Sequence, residues 1–136
     1  MNVKTSELSG AALDWAVEVA IAAQFNEGRK LKVVRDLRSA NGPCWIEVEN
    51  SPGSGIFHRS MRSTDWSQGG PIIDSEDITW SMHMAPEHGD QTRYCAFSYR
   101  AGSSKAQAGP TKLTAAMRCF VANHLGDEVD VPEDLQ

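Results

Sequence analysis

The sequence predicts an α+β fold: a small single domain, an antiparallel sheet with an N-terminal and a C-terminal helix packed on it. Three observations predict it. Apolar residues recur at helical spacing after Ser9 and again after Thr111. Between these stretches lie short runs of β-branched and aromatic residues, separated by glycine, proline and polar turns. In one such run Tyr94, Ala96 and Ser98 alternate with Cys95, Phe97 and Tyr99, which suits a sheet covered by helices on one face.

The first helix is expected from about Gly10 to Gln24, with Ser9 as its cap. Leu13, Val17, Ala20 and Ile21 would form its apolar stripe, with Asp14 and Glu18 turned outward and Trp15 beside the stripe. Asp14 also suits the positive end of the helix dipole. Gly28 supplies a break, and Leu31 to Leu37, which fits both periodicities, is read as a strand. Cys44 to Val48 is a clearer strand after the turn Asn41-Gly42-Pro43. A loop over residues 50–55 leads to an edge strand from Ile56 to Met61. Ile78 to Met84 and Arg93 to Tyr99 form a hairpin around the polar loop Pro86 to Gln91. The last helix opens at Gly109-Pro110-Thr111, carries Leu113, Ala116, Met117, Phe120, Val121 and Leu125 on its stripe, and closes at Gly126.

The main functional expectation falls on Thr64-Asp65-Trp66-Ser67-Gln68-Gly69-Gly70-Pro71-Ile72-Ile73. It reads as a binding loop. Gly69 and Gly70 form a hinge, Pro71 fixes its own φ and pushes Gly70 toward extended backbone, and the two isoleucines lead into a buried strand. The glycine amides would meet a phosphate, carboxylate or base edge. Trp66 offers a flat face, and Thr64, Asp65 and Gln68 offer polar groups. The competing reading is a structural turn around a core tryptophan. A second anion site is expected at the start of the last helix, where amides follow Gly109 and Thr111, with Arg118 one to two turns on. Simple capping by Thr111 is the alternative there.

With 136 residues, the chain fits one domain over 1–136, with an acidic tail from about residue 127. An apolar share of 40% and a charged share of 23% place it among ordinary globular proteins. The net charge of -5 opposes a protein whose main business is neutralising DNA, so a nucleic acid polymer is not the expected partner. Charge is nevertheless uneven. Arg29, Lys30, Lys32, Arg35 and Arg38 crowd one stretch, and Asp127, Glu128, Asp130, Glu133 and Asp134 another. Both runs suit solvated surface, or else an anion patch or complementary contact between subunits.

Cys44, Cys95 and Cys119 are odd in number and far apart, which fits a reducing compartment and suggests neither a disulfide framework nor a metal motif. The sequence shows no signal-peptide pattern, and its most apolar stretch, Ala16 to Ala23, contains Glu18 and is too short to span a bilayer. A soluble cytoplasmic protein, with no membrane partner, is expected. Gly53-Ser54-Gly55 lacks the remaining residues of a dinucleotide or phosphate-loop motif. His83 and His88 flank Glu87 but are five residues apart with Pro86 between them, which does not give the one-face geometry of a zinc protease. His58 and His124 stand without a visible partner. No catalytic residue, metal site or cofactor is therefore assigned.

Three blocks of this sequence resemble the NinX family of small bacteriophage proteins. They are Ser63 to Ile73, Lys4 to Val17, and a closing set comprising Gly109-Pro110-Thr111, Ala115 to Ala122 and Leu125 to Pro132. The blocks keep the order expected of the family, while residues 24–63 and 77–108 follow no family pattern. The resemblance implies a phage or prophage accessory protein working in the host bacterial cytoplasm, and it implies no activity.

Three functions are compatible with these residues. The first is a binder of a small nucleotide-derived anionic ligand without turnover, such as a host antiphage defence signal. Trp66 would stack on the base, Gly69 and Gly70 would present amides, and Thr111 with Arg118 would meet phosphate. Identical pockets at subunit boundaries would make a small protein an efficient trap, so a homo-oligomer is expected. The second is an adaptor that inhibits a host enzyme through its acidic surface or aromatic strands. The third is a hydrolase of a nucleotide signal using His58, Asp65 and His83.

Overall fold

The computed structural model describes residues 1–25, 28–38, 43–82, 94–98 and 105–135. The turn at Asn41-Gly42, the polar loop Pro86 to Gln91, and His83, Glu87 and His88 lie outside the described residues. So do the outer ends of the two hairpin arms, including Arg93 and Tyr99. Among the described residues the fold is α+β with antiparallel strand pairs, and the strands are divided among three small sheets.

The chain opens with β1 (Asn2–Lys4), a 3-10 turn over Thr5–Glu7, and α1 (Gly10–Phe25). Strands β2 (Leu31–Arg35), β3 (Cys44–Glu49) and β4 (Phe57–Ser60) form one meander. Helix α2 (Trp66–Ser75) separates it from β5 (Ile78–Met82), β6 (Tyr94–Ser98) and β7 (Gln107–Gly109), which make the second three-stranded sheet. Then come α3 (Lys112–Leu125) and β8 (Glu128–Asp130), and β8 pairs with β1 to bring the two ends of the chain together.

Helix α3 organises these pieces. It packs against α1, α2 and all three strands of the second sheet, and α1 in turn packs against β3 and β4. The expected apolar stripe understates how deeply α3 is embedded. Ala115, Arg118, Cys119 and Ala122 are buried as well as Leu113, Ala116, Met117, Phe120 and Val121, so the middle of the helix, from Ala115 to Ala122, is enclosed on every side. Small side chains allow this, because neighbouring elements can approach the helix axis closely. At the ends, Thr111 Oγ1 accepts from the Thr114 amide and Gly126, at φ 93°, stops the helix, both at the positions the sequence marks.

Two readings of α1 and α2 are corrected by the packing. Asp14 and Glu18 do not face solvent: they are 7% and 3% exposed. Asp14 Oδ1 accepts from the Ser63 amide at 2.8 Å, and Glu18 Oε1 accepts from Ser60 Oγ and Arg62 Nε, each at 2.9 Å. These acids, one helical turn apart, hold the chain from β4 to α2.

The second correction concerns the Gly-Gly-Pro run, which is helix rather than a hinge followed by a strand. Asp65 caps α2 by accepting from the Ser67 amide, and Pro71 lies inside the helix. Proline there removes one backbone bond and ordinarily disfavours helical backbone in the residue before it, partly through a clash with that residue's Cβ. Gly70 has no Cβ. Ser67, whose carbonyl would have received the missing bond, is exposed, so water can serve it. Asp77, at φ 53°, makes the left-handed turn after α2 from which β5 starts.

Arg118 is expected to be the costliest polar residue of α3 to replace. Arg118→Met leaves the carbonyls of Leu8 and Ala108 without their donor, and urea denaturation should show a loss of about 3 kcal/mol.

Candidate functional site

A cleft of about 260 Å³ opens where the residues leading into α2 meet the first turn of α3. Ser63, Thr64 and Trp66 line it from one segment, and Thr111, Lys112, Leu113 and Thr114 from the other. Trp66 is 53% exposed although it begins a helix. Its ring meets the edge of Trp80, with centroids 6.1 Å apart and planes at 62°. Trp80 is itself anchored, because its indole N–H donates to the Lys112 carbonyl at 2.7 Å. The ammonium of Lys112 stands 5.8 Å from the Trp80 ring and 5.9 Å from the Tyr94 ring.

The helix start completes the polar side of the cleft. Thr114 N is bonded to Thr111 Oγ1 and Ala115 N to Thr111 O, each at 3.0 Å. The amides of Lys112 and Leu113 come first in α3 and have no carbonyl one turn behind them. They point with the positive end of the helix dipole, and Lys112, which lines the same cleft, brings a full charge on its side chain.

Of the residues the sequence nominates, Thr64, Trp66 and Thr111 come together in this cleft. The others have different surroundings. Asp65 Oδ1 takes both the amide and the hydroxyl of Ser67, at 2.9 and 2.7 Å. Gln68 accepts from the Met61 amide and donates to the Arg59 carbonyl, bracing the end of β4. Gly69 does not present its amide to a ligand, since that N–H donates to Asp65 O at 2.9 Å. Its lack of a side chain is used for packing: a Cβ there would lie 2.5 Å from the Arg62 carbonyl and 2.6 Å from Leu113 Cδ1.

Gly70 has open space around its Cα. Pro71 belongs to a second cleft of about 300 Å³, where it meets Arg29, Arg62, Ile72 and Phe120. Gly109 ends β7 and abuts the backbone of Ala115. Arg118 is 5% exposed and spans two segments, with Nε donating to Leu8 O at 2.7 Å and Nη1 to Ala108 O at 2.8 Å. Burial pulls its pKa down, yet both carbonyls receive a charged donor.

Sequence reasoning missed Trp80 and Lys112. The signal for Lys112 was its place directly after the cap residue Thr111. Trp80 gave none, because only the return of β5 against α3 brings it to Trp66. Of the hydrolase candidates, His83 lies outside the described residues, His58 Nδ1 lies 2.6 Å from Asn50 Oδ1, and Asp65 is engaged as the α2 cap. Among the described residues, no group of three or more His, Cys, Asp or Glu is placed to hold a metal ion. None of their helices is long and apolar enough to cross a membrane.

Fold and cleft thus define a small α+β protein with an aromatic, cation-bearing recess. A family model described as bacteriophage P22 NinX matches residues 4–124, and the chain belongs to that family. The match runs through residues 24–63 and 77–108, the segments outside the three sequence blocks. No match is found among curated proteins.

The residues that hold the start of α2 in place give two expected outcomes. Gly69→Ala gains helix propensity, but its Cβ meets a backbone carbonyl that cannot swing aside; a net loss of about 1 to 2 kcal/mol should appear in chemical denaturation. Asp65 and Asp14 should respond to pH in opposite senses. The hydroxyl and amide of Ser67 hold the Asp65 carboxyl below its usual range, so its stabilisation is present above the ordinary aspartate pKa and is lost as pH falls through the lowered value. Burial pushes the Asp14 carboxyl up against the opposing bonds from Ser63, so its charged form costs stability above that raised value. The cost is relieved as pH falls through the raised value toward the ordinary one near about 3.9. Asp14→Asn keeps an acceptor for the Ser63 amide. Thermal melts across pH should show it at least as stable as the parent at neutral pH, with the advantage shrinking on acidification.

Proposed function

We propose that this phage accessory protein binds a small nucleotide-like anion in the cleft between α2 and α3 without turning it over, and so sequesters a host antiphage defence signal. One observation carries the reading. Trp66 is held half-exposed by its edge contact with Trp80 in the same recess as the first amides of α3 and Lys112. An indole face suits a base, while helix amides and an ammonium suit a phosphate. The polar groups come from a helix end rather than from an acid–base pair, which favours holding a ligand over transforming it. A trap of this kind works best as an assembly of identical subunits, and we include a homo-oligomer in the proposal.

The test is calorimetric titration of the purified chain with linear and cyclic nucleotides, with native mass spectrometry of the same samples to read subunit number. At least one nucleotide should bind and be recovered unchanged. Trp66→Ala should weaken that binding about tenfold, consistent with loss of one base–aromatic stack, while leaving the melting temperature near that of the parent. Unaltered affinity in a folded Trp66→Ala protein would sink the role of the cleft. A nucleotide recovered in altered form would replace the binder with a hydrolase, and a host protein captured through Trp66 in the absence of nucleotide binding would replace it with an adaptor.

A further inference from the structure

The basic run Arg29 to Arg38 contributes nothing to the cleft between α2 and α3, yet the structure gives part of it a defined setting. Lys32 lies on β2, and the strand register puts it in one row with Glu47 of β3 and Arg59 of β4. On the same face, Trp45 pairs with Val34 and Phe57 with Glu49. Ile46, Val48 and Ser60 alternate with these residues and are buried toward α1, where Ser60 donates to Glu18.

The opposite face therefore carries two aromatic rings and two exposed cations. The Lys32 ammonium stands 3.8 Å from the Phe57 ring centroid, and the Arg59 guanidinium 5.2 Å from that of Trp45. The acids on this face are already engaged. Glu47 accepts from the Trp45 indole N–H at 3.0 Å, which fixes that ring, and Glu49 accepts from the amides of Lys30 and Gly55.

From this face we infer a binding site for single-stranded nucleic acid, with bases stacking on Trp45 and Phe57 and phosphates meeting Lys32 and Arg59. A stacking platform flanked by cations takes any base, because every base has a π face. By register the two rings are four residues apart along the strands and one strand apart across them, about 14 Å in all. The row containing Lys32 and Arg59 lies between them, so each cation can pass from a ring to a phosphate by side-chain rotation alone.

The net charge of -5 opposes coating a duplex, but it does not oppose a site that needs two phosphates and two exposed bases. A duplex keeps its bases stacked and would leave both rings unused. An acidic protein segment would engage the cations and not the rings.

Fluorescence anisotropy of the full chain with labelled oligothymidylate and oligouridylate tests this, with unlabelled duplex and polyglutamate as competitors. Both single strands are expected to bind, and the tighter of the two identifies DNA or RNA as the source. Log affinity against log salt should slope by about −1.4 for two phosphates, and Arg59→Ala should remove about half of that slope. Trp45→Ala should weaken binding about tenfold. Arg59→Glu changes an exposed residue, keeps the test valid if Trp45→Ala fails to fold, and should abolish binding. Wild-type affinity in Arg59→Glu, or competition by duplex as strong as by single strand, overturns the inference. Equal competition by polyglutamate also overturns it and makes the face a site for acidic protein.

Discussion

The two hydrogen bonds of Arg118 to Leu8 O and Ala108 O are the interaction on which the arrangement depends. They join the approach to α1, the strand β7 and the middle of α3, segments as many as 110 residues apart in sequence. A long polar side chain buried in the middle of a helix must find hydrogen-bond partners, and buried carbonyls need donors. Arg118 meets that need for two carbonyls at once, and so lets α3 be shared between α1 and the β5–β7 sheet. Thr5 adds a parallel tie at the far end of the helix, its hydroxyl donating to Gly126 O at 2.7 Å.

A second polar layer sets the position of the cleft. Glu18 and Asp14 hold residues 60–63, Arg62 reaches on from Glu18 to the Gln68 carbonyl, and Gln68 returns to Met61 and Arg59. The start of α2 is thus located by α1, and Gly69 lets it sit against Leu113 of α3. Trp66 can remain half-exposed because it is not asked to supply packing; its neighbours fix the backbone beneath it.

Much of the fold was legible because the responsible signals are local. The cap at Thr111, the stop at Gly126 and the alternation in β3 and β6 depend on residues a few positions apart. The failures share a different cause. Asp14 and Glu18 carry an ordinary surface signature, and only the chain arriving from β4 turns them inward. Gly69-Gly70-Pro71 carries a turn signature, yet the close approach of the Arg62 carbonyl and Leu113 requires a glycine, and the proline tolerates its helical setting because another glycine precedes it. Arg118 was nominated as a ligand contact because sequence gives charge without burial. In the candidate site, Trp66 and Thr111 could be read from the chain, whereas Trp80 entered through strand pairing and Lys112 through the helix it follows.

The position of α3 along the chain bears on how the protein is made. Among the described residues, both other α-helices and all strands but β8 precede it, yet most of the principal core is built around it. While the ribosome delivers the earlier elements, Leu13, Val17, Ile78 and Ala96 are present without the helix that covers them in the finished molecule. The nascent chain must therefore wait with apolar surface uncovered, a condition that invites chaperone engagement or association with other incomplete chains. Folding is committed late, when Leu113 to Val121 emerge and both halves close on them.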